Sequence, residues 1–157
     1  NKISNLIEWA ALPPTYAYVP LQTGDARITG WELGYGALLG AWELTASVDL
    51  LDPRDETSGR QLARRSREAG RASLTRSFGA LTVGSEVFAS GKRYSDALNT
   101  QKLGGYGLVN LFAHYQVDRN WRLEARANNV LDKDYDLVRG YNTLGANVFV
   151  GVRYTSR

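Results

Sequence analysis

Apolar and polar positions alternate with a period of two along most of this chain. The alternation is cleanest where Trp42, Leu44, Ala46, Val48 and Leu50 interleave with Glu43, Thr45, Ser47 and Asp49. It recurs on both sides of the polar turn Asp118-Arg119-Asn120. Before that turn Val109, Leu111, Ala113 and Tyr115 share one parity, and Leu108, Asn110, Phe112 and His114 the other. After it Trp121, Leu123, Ala125 and Ala127 oppose Arg122, Glu124, Arg126 and Asn128. Successive side chains of a β-strand point to opposite faces, so each run predicts a strand with one apolar and one polar face. The same reading predicts strands over Lys2 to Trp9, Ala26 to Leu39, Trp42 to Leu51, Ala69 to Phe78, Ala80 to Ser90 and Ala146 to Tyr154. Arg76 interrupts the apolar parity of its strand.

The connections alternate in length. Leu39-Gly40-Ala41, Gly79 and Asp118-Arg119-Asn120 are tight turns. Ala10 to Thr23, Asp52 to Glu68, Gly91 to Gly105 and Asn129 to Gly145 are long loops. The first of these contains Pro13, Pro14 and Pro20, which lack the N–H that a ladder needs. Antiparallel neighbours joined in this way form an up-and-down sheet with every long loop at one end. That asymmetry is the habit of outer-membrane barrels rather than of soluble sandwiches. The expected fold is therefore all-β: an antiparallel, up-and-down, transmembrane β-barrel of eight strands.

Periodicity alone leaves open whether the apolar parity points into a barrel or out of it. Two observations predict that it points outward, to lipid. The opposing parity carries Glu32, Glu43, Asp49, Arg71, Glu86, Arg122, Glu124, Arg126 and Arg153, which suit a hydrated lumen; Arg71, Arg122 and Arg126 are expected to pair there with Glu43, Glu86 and Glu124. Aromatics also recur where strands meet the short turns: Trp42, Phe78, Tyr115, Trp121 and Tyr154 all lie on the apolar parity. A ring of amphipathic aromatics at one level is what a membrane–water interface selects, so these five are the expected membrane girdle.

Composition narrows the chemistry. The chain has no cysteine, so no disulfide or thiolate metal site is available. Its single histidine, His114, leaves one candidate general base, better read as a hydrogen-bonded lumen residue. A net charge of +3, spread over strands and loops, gives no nucleic-acid footprint. The apolar runs fall far short of the roughly 18–20 residues of a spanning helix. Strand-like sequence from the first residues onward predicts a segment of a larger protein.

The run Asn128-Asn129-Val130-Leu131-Asp132-Lys133-Asp134-Tyr135, then Gly140-Tyr141 and a last strand ending Gly151-Val152-Arg153-Tyr154, resembles the C-terminal end of TonB-dependent outer-membrane receptors. Gly24 to Glu32 resembles a recurring strand motif of the same barrels. The order of the first strand, Arg64-Arg65, Lys92-Arg93-Tyr94 and Asp132 to Tyr141 is most similar to the family's cobalamin (vitamin B12) receptors, and the resemblance covers essentially the whole chain. It implies a C-terminal fragment of a barrel of about 22 strands, located in the cell outer membrane and lacking its plug domain. The implied partners are cobalamin or another siderophore-like ligand, TonB acting through the missing plug, and lipid and lipopolysaccharide. The TonB box and the calcium-binding loops of the cobalamin receptors are not found in this sequence, and its residues give no expectation of catalysis, a cofactor or a metal. Two features depart from the family pattern. Tyr154 is followed by Thr155-Ser156-Arg157 rather than ending the chain, and Ser95 to Gly105 lacks the tyrosines expected of a cobalamin loop.

The resemblance places Arg64 where the family offers an arginine to its ligand, and a guanidinium fork suits the phosphate and amide oxygens of a corrin nucleotide loop. The competing reading of Arg64-Arg65 is a solvated basic loop or a lipopolysaccharide contact. Asp132-Lys133-Asp134-Tyr135-Asp136 superficially resembles a calcium loop, but it lacks the glycine and distal glutamate of an EF-hand and interposes a lysine. Two other functions fit the pattern less well: an autonomous eight-stranded structural or adhesion barrel, and a barrel enzyme.

Overall fold

The computed structural model describes residues 2–4, 7–12, 17–22 and 24–156, and among these every regular element is a β-strand. The strands are β1 (Lys2–Ile3), β2 (Ile7–Leu12), β3 (Ala17–Gln22), β4 (Ala26–Leu39), β5 (Trp42–Asp55), β6 (Glu68–Phe78), β7 (Leu81–Ser90), β8 (Arg93–Tyr94), β9 (Lys102–Leu103), β10 (Tyr106–Gln116), β11 (Trp121–Asn128) and β12 (Asn147–Tyr154). Eight of them form one antiparallel sheet in the order β1-β4-β5-β6-β7-β10-β11-β12. The up-and-down topology expected from the alternation is therefore observed. β1 and β12 lie at opposite edges of this sheet, so the eight strands form a wall and not a ring closed on itself.

The first predicted strand requires correction. Lys2 to Trp9 is not one strand: Lys2 and Ile3 pair with Arg27 and Ala26, whereas Ile7–Leu12 turns away to pair with Ala17–Gln22. Nine of the fourteen residues of the predicted Ala10–Thr23 loop thus lie in a hairpin, with Pro20 opposite Trp9. A proline is tolerated on a two-stranded ribbon because each strand has a free edge to which its missing donor can point. Pro13 and Pro14 lie outside the described residues. β5 also runs beyond the predicted Leu51, through Asp52-Pro53-Arg54-Asp55, because β4 continues alongside as far as Ala26↔Asp55.

The tight turns follow from local chemistry. Gly40 and Gly79 take φ values of 63° and 61°, and each opens a two-residue link between paired strands. Two-residue hairpins need positive φ, which glycine adopts without a steric penalty. At the third turn Asp118 Oδ1 accepts hydrogen bonds from Asn120 N (2.8 Å) and Trp121 N (2.9 Å).

The register carries the apolar parity across the whole sheet. Tyr35↔Ala46, Ala46↔Ala72, Ala72↔Val87, Val87↔Val109, Leu111↔Ala127 and Ala127↔Val148 place these residues on one face. The other face joins Ser47 to Arg71, Ser73 to Glu86, Glu86 to Asn110 and His114 to Glu124. The burial alternation is inverted relative to a water-soluble sheet. On β11 the apolar-parity residues Trp121, Leu123 and Ala125 are exposed while Arg122, Glu124 and Arg126 are partly covered. On β10 Leu111 and Tyr115 are exposed while Asn110, Phe112 and His114 are partly covered. The polar face is the sheltered one. Phe112 lies over Gly84, where an added Cβ would fall 2.3 Å from its ring. Arg126 pairs with Glu86, and Arg153 Nε reaches Glu124 Oε1 at 3.1 Å. Only the Arg126–Glu86 pair was expected from the sequence. Arg122 instead donates to Gln116 Oε1 (3.1 Å), and Arg71 and Glu43 make no ion pair among the described residues. The apolar side chains removed from water, Ala26, Pro53, Leu62 and Leu103, all sit at the long-loop end. The sheet itself is a single layer, and the buried apolar side chains among the described residues lie at its long-loop end.

Candidate functional site at the long-loop end

Three long connections meet above the sheet, and side chains rather than ladders fasten them. The loop after β5 (56–67) folds onto the loop after β7 (91–105). Asn99 and Gln61 exchange two hydrogen bonds: Gln61 N donates to Asn99 Oδ1 (3.0 Å) and Asn99 Nδ2 donates to Gln61 O (2.9 Å). Asn99 adopts a φ of 59°, a conformation asparagine tolerates better than most residues because its short amide bonds locally. Beneath this clasp Leu62 and Leu103 are buried. The β8–β9 pair, formed by Arg93↔Leu103 and Tyr94↔Lys102, turns the predicted 91–105 loop into a miniature hairpin.

Within that hairpin Asp96 gathers three donors. Thr100 N (3.1 Å) and Thr100 Oγ1 (2.8 Å) reach Oδ2, and Gln101 N reaches Oδ1 (2.7 Å). Partial burial pushes its carboxyl pKa up, but the bonds from Gln101 and Thr100 favour the ionised form more, and the net effect is a pKa below the usual aspartate value.

Arg93 joins the second and third loops. Its side chain is only 5% exposed. Nη1 donates to Ser90 Oγ (3.1 Å), and Nη2 donates to the Asp136 carbonyl (2.8 Å), forty-three residues away. The guanidinium carbon lies 5.0 Å from the centre of the Tyr106 ring, and Tyr106 stacks on Tyr135 at 4.4 Å. Charge-assisted hydrogen bonds and an aromatic face together offset the cost of covering the cation. Ser95 Oγ accepts a further link from Arg139 N (3.2 Å).

The third loop is built on its first residues. Asn129, 3% exposed and at a φ of 49°, takes Lys133 N on Oδ1 (2.9 Å) and gives Nδ2 to Lys133 O (3.0 Å). Its own N–H donates to Asn110 Oδ1 (2.9 Å). Asp132, also at a φ of 49°, accepts Ala146 N on Oδ1 (2.7 Å) and so closes the loop onto the start of β12. The Asn128–Tyr135 run is thus a folding device for the last loop. Asp132 commits a carboxylate oxygen to the backbone, and no group of three or more metal-ligating side chains occurs among the described residues.

Arg64 sits at the tip of the first loop with its side chain exposed. Its backbone is held in place, with φ at 60° and its N–H donating to Tyr94 O (2.7 Å). The guanidinium makes no ion pair among the described residues. Arg65 is likewise exposed. Sequence reasoning placed Arg64 at this rim but passed over Arg93, Asn99 and Asn129. The one available signal for Arg93 was its place in the Lys92-Arg93-Tyr94 run.

The five aromatics occupy the opposite end. Trp121 and Tyr154 are paired in register with ring centres 4.8 Å apart. Arg76, opposite Trp42, lies between the Trp42 and Phe78 rings at 5.5 Å and 4.5 Å. The cation that interrupts the apolar parity is thus covered by aromatic faces. Tyr115 is paired with Leu81 and Leu123 on the same face. His114 faces the polar side, with its ring 5.4 Å from that of Phe112.

Comparison with known proteins bears on this arrangement. The family model described as "TonB dependent receptor-like, beta-barrel" matches residues 1–130. The vitamin B12 transporter BtuB of Photobacterium profundum is 31% identical over 157 residues, covering 98% of this chain and 26% of the relative. Among solved structures, the copper transporter OprC superposes with a TM-score of 0.77 at 25% identity, covering 98% of this chain and 26% of the other. The siderophore receptor PiuA from Acinetobacter baumannii gives 0.70 at 23% identity, covering 98% and 24%. The chain spans about a quarter of the length of these relatives.

Proposed function

The chain belongs to the TonB-dependent receptor β-barrel family, and from that premise we propose that it is part of the wall of an outer-membrane uptake receptor for cobalamin. The family is one of transport receptors. The observation that carries the substrate is the likeness to a vitamin B12 transporter along 98% of this chain. The copper transporter is an equally extended structural match, yet this chain contains no Cys, no Met and a single His, so it brings no soft ligand set of its own to a copper site.

In this reading the apolar face meets lipid and Trp42, Phe78, Tyr115, Trp121 and Tyr154 form the girdle at the periplasmic interface. The inverted burial of β10 and β11 supports it, since an apolar face left uncovered needs an apolar solvent. The long-loop end is extracellular, and Arg64 offers an unpaired guanidinium there to the anionic and amide groups of the ligand. Lipopolysaccharide borders the same rim. Energy for uptake comes from TonB acting through a plug supplied elsewhere in the protein.

Titration of the full-length protein with cyanocobalamin tests the substrate. Saturable binding, weakened about tenfold or more by Arg64→Ala through loss of a charged hydrogen bond, is the expected result. Absence of binding, with uptake of a ferric siderophore or copper instead, overturns the cobalamin assignment. Quenching of Trp121 fluorescence by brominated lipid tests the outward face.

A further inference from the structure

The apolar face carries one charge that the fold leaves unanswered. From Leu33, Val48 and Gly70 down to the short turns, and along the same parity of β7, β10, β11 and β12, Arg76 is the one charged side chain. Its level is fixed by its partners. Arg76 is opposite Trp42, the first residue after the β4–β5 turn, and opposite Val83, two residues beyond Leu81 at the start of β7. It therefore sits among the girdle aromatics, on the face that meets lipid in the uptake reading. The inference rests on that reading of the face.

The charge has aromatic neighbours but no counter-ion. The guanidinium carbon lies 5.5 Å from the Trp42 ring centre and 4.5 Å from that of Phe78. Nε is covered and has no acceptor, and the side chain makes no ion pair among the described residues. Glu43, the residue after Trp42, belongs to the opposite parity, where it faces Thr75. Aromatic faces attract a cation but leave its charge in place. A cation facing hydrocarbon is costly unless it is paired or reaches the headgroups. The anion at that level of a membrane is a lipid phosphate, and two of its oxygens fit the guanidinium fork. Trp42 and Phe78 hold the stem, so the fork is ready before the lipid arrives.

We propose that Arg76, held between Trp42 and Phe78, binds the phosphate of phosphatidylglycerol in the leaflet that borders the short turns. Its acyl chains lie along the apolar parity, beginning with Leu44 and Leu74, which are paired beside Arg76. The choice of lipid follows from the charges. No carboxylate shares this stretch of the face, so the ammonium of phosphatidylethanolamine finds no partner there, whereas a headgroup with net negative charge needs none. Lipopolysaccharide belongs to the other leaflet, at the long-loop end.

The test is native mass spectrometry of the full-length protein, released from nanodiscs made of equal amounts of phosphatidylglycerol and phosphatidylethanolamine. The proposal expects Arg76→Gln to lower the retained phosphatidylglycerol by one molecule, with an occupancy drop of about fivefold or more, and to leave phosphatidylethanolamine unchanged. Arg76→Lys, which keeps the charge, should keep most of that lipid. The heat-modifiable electrophoretic shift of a folded barrel verifies each variant, and Arg76→Met replaces the glutamine variant if that one does not fold. Equal phosphatidylglycerol retention without the arginine, or an equal loss of both lipids, overturns the proposal. Quenching of Trp121 by brominated lipid does not depend on Arg76 and separates the two readings. Its absence removes the outward face and the proposal with it. Quenching together with unchanged retention overturns the lipid site alone and leaves the uptake reading intact.

Discussion

The two ends of the sheet are held together by different physics. At the short-turn end the chain reverses in a few residues, and the backbone ladder supplies nearly all the cohesion. Leu39↔Trp42 and Phe78↔Leu81 are paired directly across their turns. At the long-loop end the ladder stops, and a set of side chains reaching over long sequence separations replaces it: Gln61 to Asn99, Arg93 to Asp136 and Asn110 to Asn129. The first design is redundant, because each ladder bond has neighbours. The second is not. There each pair of loops is joined at only two points, so the loss of one side chain is felt far along the sequence. Loops joined at few points can move as units while the wall stays fixed.

The sharpest way to break the contrast is Arg93→Ala. It removes two charge-assisted hydrogen bonds and the cation over Tyr106, and should cost the loop assembly about 3 kcal/mol. Hydrogen exchange should accelerate in 91–105 and 129–145 together while β10 and β11 remain protected. Acceleration confined to 91–105 would mean that Arg93 does not couple the loops. Next comes Asn129→Ala, which loses both amide bonds to Lys133 and places alanine at a φ of 49°. A loss of about 2 kcal/mol is expected, read as faster proteolysis between Val130 and Gly145. Asp118→Ala is the matched change at the turn end. It removes two bonds to backbone N–H groups, yet should cost only about 1 kcal/mol, with exchange altered only over 117–121 because the flanking ladder persists. An effect reaching 129–145 would erase the difference between the ends.

The same contrast explains what could be read from the sequence. The wall was legible: Ala26–Leu39 ends where the alternation ends, because one apolar and one polar face impose period two along its length. Trp42, Phe78, Tyr115, Trp121 and Tyr154 were legible as one face for the same reason. The first twenty-two residues were not. Pro20 argued against a strand, and only tertiary context decides whether the side of a strand that lacks a donor is also the side that lacks a partner. The extension of β5 through Pro53 was missed similarly, since Asp52-Pro53-Arg54-Asp55 has the composition of a turn and becomes strand only because β4 runs beside it. Arg64 was placed at the rim by resemblance. Arg93 was marked only by its place in the Lys92-Arg93-Tyr94 run, and neither its ties nor those of Asn99 could be read locally, because Asp136 and Gln61 are distant in sequence.

The smallest expected effect isolates one side chain at the loop end. The three hydrogen bonds that Asp96 accepts require its ionised form, and they hold its pKa below the ordinary 3.8 despite the opposing effect of burial. A carboxylate with a depressed folded-state pKa contributes stability that is complete above its ordinary value and is lost as pH falls through the folded value. The β8–β9 hairpin should therefore be unchanged from neutrality down to about pH 5 and loosen only below the ordinary aspartate range. The amide resonances of Thr100 and Gln101 report this directly, and their titration should have a midpoint below 3.8. The opening equilibrium should change by less than about tenfold, and Asp96→Asn should abolish the titration. A midpoint above 3.8 would show that burial outweighs the hydrogen bonds, and the hairpin would then be held by Arg93 and Asn99 without help from its own carboxylate.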